Sequence, residues 1–228
     1  MRSSPSSSPL VGLLSQWAGG GADVSRHDWA QQLGSWLNPF DAIALHGAHQ
    51  AIQAFAATGQ ASAAQAAAGT LDDTWRRLRT DLGAAIAGYN PPDAADEDLV
   101  ATLGFSPYRQ RYLELQRRME LRINPFRDHC RRILSQTNVR LRQLAELDAA
   151  LEQALGKREK TLLAKVPALI EKRFEHLRKD AQDESKAASW LAAFDRDFQA
   201  LMHAELHFRL EPVGGLIEAF NNESQREQ

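Results

Sequence analysis

Apolar side chains recur at steps of three and four residues along most of this chain, and no stretch alternates in steps of two. A step near 3.6 is the period of an α-helix, and a step of two is that of a strand. The spacing predicts an all-α protein. One row runs Leu71, Trp75, Leu78, Leu82, Ile86, Tyr89, and another Tyr108, Tyr112, Leu115, Met119. A third runs Leu163, Val166, Ile170, Phe174, Leu177, with Pro167 inside it, and a fourth Trp190, Phe194, Phe198, Leu201. Leu141, Leu144, Leu147, Leu151 and Leu155 form the most regular, heptad-like row. A charge introduced at Leu151 is expected to be buried in that seam.

Breaks in these rows set the expected boundaries. Ser25 with Asp28 starts a helix carrying Trp29, Leu33, Trp36, Leu37 and Phe40, and Asn38-Pro39 starts the next. Residues 56–69, almost only Ala, Gln, Gly, Ser and Thr, read as a low-complexity connection, and Thr70 with Asp73 restarts a helix. Asn90-Pro91-Pro92 stops it. A short helix near Leu99–Leu103 is expected behind the acidic stretch Asp93 to Asp98. Ser106-Pro107 is a strong start signal. Pro125 is expected to kink that helix or begin a new one capped by Asn124, Gly156 to close the leucine row, and Pro212 to end the last long helix. Leu216 to Phe220 then reads as a short terminal helix. The expected layout is a disordered leader at 1–9, a helical cluster at 10–104 around Trp29, Trp36 and Trp75, and a polar tail at 222–228. Between them, 105–221 reads as a bundle of long antiparallel helical hairpins, coiled-coil-like in character.

Apolar residues make up 43% of the chain, enough to bury a core. Cys130 is the only cysteine, so no intramolecular disulfide forms, which fits a reducing compartment. No run reaches the roughly 18 apolar residues of a membrane-spanning helix. Leu10 to Leu14 is too short for the apolar region of a signal peptide. A cytoplasmic location is therefore expected.

The net charge of −2 hides a strong asymmetry. Residues 107–142 hold ten Arg, no Lys and three acids, Glu114, Glu120 and Asp128, whereas both flanking regions are net acidic. Guanidinium pairs in two-pronged fashion with carboxylate or phosphate. Three uses follow: pairing with the acidic flanks, docking to an acidic protein, or contact with a nucleic-acid backbone. Glu114 is expected to reach Arg117 or Arg118, and Asp128 to reach Arg131 or Arg132. Arg117, Arg118, Arg131 and Arg132 are the candidate partner-binding residues. Nucleic acid is disfavoured by the overall acidity, and a homo-oligomer is left open.

No catalytic constellation emerges. His203, His207 and Glu211 recur every four residues. Two imidazoles at that spacing chelate zinc from one helix, but eight residues span about 12 Å, too far for one ion to touch all three. A metal-dependent enzyme at His203 and His207 needs a ligand from elsewhere, and no other residue nominates itself. His46 and His49 offer the i, i+3 version of the same pattern. Asp128, His129 and Cys130 are adjacent, and neighbouring helical residues diverge by about 100°, so they form no relay. Gly19-Gly20-Gly21 lacks the Lys-Ser/Thr of a phosphate loop. No cofactor is expected.

The strings Asp41-Ala-Ile-Ala-Leu45, Tyr108-Arg-Gln-Arg-Tyr-Leu-Glu-Leu-Gln-Arg-Arg-Met-Glu120, Leu144-Ala-Glu-Leu-Asp148 and Lys172-Arg-Phe174 resemble a bacterial, all-helical domain family of unknown function, over most of the chain from about Pro9. The family brings no activity with it. The resemblance implies a gene neighbourhood of coiled-coil membrane proteins and partners like outer-membrane protein A or the flagellar motor. It would make this chain an accessory cytoplasmic subunit. The expected function is thus a non-catalytic interaction subunit with a protein partner.

Overall fold

The computed structural model describes residues 8–17, 45–47, 49–50, 64–88, 104–183 and 187–226. Six helices are defined among them: α1 (Pro9–Trp17), α2 (Ala64–Ala87), α3 (Ser106–Thr137), α4 (Val139–Leu163), α5 (Val166–Asp183) and α6 (Ala187–Arg226). No strand occurs among the described residues, so the fold is all-α. The expected helices around Trp29 and Trp36, the Asn38-Pro39 boundary, the Pro91-Pro92 stop and the acidic stretch with its short helix lie outside the described residues.

The start signals act where local chemistry dictates. Gly104 takes a φ of 59°, a left-handed conformation that suits glycine, and α3 then begins at Ser106 with Pro107 in its first turn. Asn138 alone joins α3 to α4. Its Oδ1 accepts a hydrogen bond from the Leu141 amide at 2.9 Å, an N-cap bond to one of the amides that a helix start leaves without a partner. Ala164 and Lys165 turn the chain between Leu163 and Val166, and Pro167 takes the second position of α5, so the third apolar row is split between two helices.

The stop signals give way to packing. Pro125 lies inside an unbroken α3, and Pro212 inside an α6 that runs to Arg226, taking in the expected short terminal helix and most of the polar tail. An interior proline costs about 3 kcal/mol. Each fully buried large apolar side chain contributes about 1.5–3 kcal/mol. Leu210, Val213, Leu216 and Phe220 carry one buried stripe across Pro212 and offset its cost. Pro125 is exposed, so the carbonyl it leaves unpaired has access to water. Gly156 does not end α4, which continues to Leu163; a single glycine costs only about 1 kcal/mol. Likewise α2 begins at Ala64 rather than Thr70, because alanine is the best helix former.

The described residues gather into two compact units. The first draws on Met1–Ala22, Arg79–Leu121 and Ala164–Arg209, and the second on Asp23–Leu78, Arg122–Leu163 and Leu210–Gln228. The first unit has an aromatic centre. The Tyr108 ring meets Phe194 edge-on at 4.8 Å, and Phe174 meets Phe194 at 5.0 Å and Trp190 at 5.2 Å. Helix α1 packs against α5 there and buries Leu10. In the second unit Trp75 stacks on Phe126 at 6.3 Å. Gly214 lies against that indole, and a Cβ there would meet the ring at 3.6 Å, an ordinary van der Waals contact.

Candidate functional site

The arginines of α3 divide by helix face. Arg127 and Arg131, one turn apart, point at α4. Arg127 grips Asp148 with two prongs, Nε to Oδ2 at 2.8 Å and Nη2 to Oδ1 at 2.6 Å. Arg131 Nε donates to the same Oδ2 at 2.7 Å, and its Nη1 lies 2.7 Å from Glu152 and 3.1 Å from Asp128. The Arg131 and Asp148 side chains are only 13% and 11% exposed. Burial works against the Arg131 charge, but hydrogen bonds and charges from Glu152 and Asp148 outweigh it and hold the guanidinium above its ordinary value. Of the four candidate partner-binding residues, Arg131 is thus engaged within the chain. Arg132 is exposed, with Nη2 3.3 Å from His129 Nδ1. Arg117 and Arg118 are exposed. Glu114 pairs with Arg111 at 3.2 Å instead of with either of them. Exposed Leu113 and Leu121 flank Arg117 at one-turn spacing.

The leucine row on α4 is not the buried seam that its regularity predicts. Of its five leucines Leu141 is buried, Leu144 and Leu155 are half-buried, and Leu147 and Leu151 are 41% and 37% exposed; outside the row, Ala145 and Leu163 are buried and Leu162 is exposed. The ion pairs explain the rotation: with Asp148 and Glu152 turned to α3, the leucines fall to one side. Leucine periodicity defines a face and leaves its partner open.

A buried polar cluster in the first unit went unseen in the sequence. Glu205 is 0% exposed. Tyr112 donates its hydroxyl proton to Oε2 at 2.8 Å, and Oε1 accepts from Gln116 Nε2 at 3.1 Å and from Arg209 Nε at 2.9 Å. Gln116 Nε2 also donates to the Tyr112 oxygen at 2.8 Å. Arg209 lies 3.7 Å from Glu120. Burial, with the Glu205 charge and hydrogen bond behind it, pushes the Tyr112 phenol well above its ordinary range, against a smaller pull from Arg209. It stays a donor. Nearby, Tyr108 donates to Asp195 Oδ1 at 2.6 Å; burial raises that carboxyl, and the hydrogen bond only partly lowers it. The readable signals were Glu205 one turn after Leu201 in an apolar run, and Tyr112, Gln116 and Glu120 at steps of four.

His203 and His207 are exposed on α6. Among the described residues no group of three or more His, Cys, Asp or Glu is placed to hold a metal ion. Cys130 is fully buried, and its thiol is pushed up to about 12, mainly by burial. No helix is long and apolar enough to cross a membrane among the described residues.

No curated protein and no solved structure matches the chain. A family model does, over residues 1–222, and the chain accordingly belongs to the family described as protein of unknown function DUF3348.

Proposed function

We propose that this chain is a non-catalytic helical subunit that docks onto a protein partner. The exposed leucines Leu147, Leu151 and Leu162 on α4 support this reading most directly, because exposed apolar side chains on one helix are a common docking feature. Separately, in the first unit, the exposed Arg117 and Arg118 favour an acidic partner surface. Leu113 and Leu121 beside Arg117 suit a protein surface better than a phosphate backbone, which ranks nucleic acid second. The setting that the sequence resemblance implies, a cytoplasmic subunit of an envelope-associated or motor-like complex with a coiled-coil membrane protein, belongs to this proposal.

The test is purification from native cells of the parent chain and a Leu147→Glu/Leu151→Glu/Leu162→Glu variant, with co-eluting proteins identified. The reading expects partner loss at an unchanged melting temperature. Equal recovery of the same partners, or recovery of nucleic acid in their place, would overturn it.

A further inference from the structure

Along the part of α6 in the first unit, Phe194, Phe198, Met202 and Leu206 recur every four residues and are all buried. A shift of α6 by one turn, about 6 Å, would replace each by the next. Apolar burial alone therefore discriminates poorly between neighbouring registers of α6 on α3. The adjacent ladder differs: Leu201, Glu205 and Arg209 change character at every turn.

We propose that Glu205 is the lock that fixes α6 in a single axial register against α3. In the observed register both carboxylate oxygens are satisfied, by Tyr112, Gln116 and Arg209. Arg209 in turn lies beside Glu120. Pairs 112–205, 116–205 and 120–209 advance together along the two helices, so these segments run in the same direction. A one-turn shift one way brings Arg209 opposite Tyr112 and moves Glu205 into the buried position of Leu201. The other way, Leu201 faces Tyr112 and Glu205 approaches the Glu120 carboxylate. Each alternative leaves the Glu205 charge with Arg209, its partner on the same helix, but without its donors on α3, Tyr112 and Gln116, which costs more than an apolar mismatch. A polar residue in an apolar seam, kept for specificity and not for strength, is an established way to set register.

The lock predicts a loss of uniqueness without a loss of helix. Spin labels on Leu113→Cys and His203→Cys, both exposed and both in the first unit, report the register in a full chain carrying Cys130→Ala. The parent should give one narrow distance by double electron–electron resonance. Glu205→Leu should keep its helical circular dichroism but show a broadened or second population displaced by up to about 6 Å. Tyr112→Phe/Gln116→Leu, which leaves Glu205 paired with Arg209 alone, should broaden the distribution less. A single unshifted distance in both variants would overturn the proposal.

Discussion

Tyr112 donates its hydroxyl proton to Glu205 at 2.8 Å, although 93 residues separate them in the chain. The carboxylate is fully buried, and this donor is one of three that hold it. Tyr112→Phe should therefore destabilise the protein by about 1–3 kcal/mol, the cost of a charge-assisted hydrogen bond lost in the interior. Chemical denaturation reads it; a change below about 0.5 kcal/mol would show that water replaces the hydroxyl.

Asp148 receives two guanidiniums. Asp148→Ala leaves Arg127 and Arg131 facing each other with Glu152 as their remaining side-chain partner on α4, and should cost about 3 kcal/mol. Arg117→Gln/Arg118→Gln removes exposed charges and should stay within about 0.5 kcal/mol. Equal melting temperatures for the two variants would refute the division of the block into inward and outward arginines.

Leu151 and Phe194 separate apolar periodicity from burial. Leu151→Asp places a charge where water already reaches, so a change under about 1 kcal/mol is expected. Phe194→Ala empties the aromatic centre of the first unit and should cost about 3–5 kcal/mol. A large loss from Leu151→Asp in a monomeric sample would mean that the leucine row is packed after all.

Asp195 gives a pH signature. Its folded carboxyl is raised above its ordinary value, chiefly by burial. The folded state therefore holds a proton that the unfolded chain releases, and this group withdraws stability as pH rises from the ordinary carboxylate range through the folded value. Below that range both states are protonated and nothing is withdrawn. Asp195→Asn, which can still accept from Tyr108, should gain relative to the parent as pH increases. A melting-temperature difference that does not vary with pH would contradict it.

Cys130 is buried, with its thiol at about 12. Only the thiolate reacts, and against an ordinary value near 8.5 its thiolate fraction is lower by roughly a thousandfold or more. Iodoacetamide should label the native chain very slowly and the urea-unfolded chain at once. Rapid native labelling would place the thiol at the surface.

Helicity was legible from the residues alone because it is a local property: each backbone bond spans one turn, and the apolar step matches that turn. The start at Ser106-Pro107 is local in the same way. The inward turn of Arg127 and Arg131 was not, because their partners Asp148 and Glu152 sit on the next helix and any of ten arginines offered the same chemistry. Pro125, Gly156 and Pro212 carry breaker signals of a few kcal/mol or less, which burial along the same helices overrides. The leucine row specified a face of α4, and only tertiary packing decided that Leu147 and Leu151 would remain accessible. Glu205 shows the limit most clearly. A carboxylate in an apolar run is readable, but its donors Tyr112 and Gln116 come from another helix, and only the packing of α3 beside α6 brings them within reach.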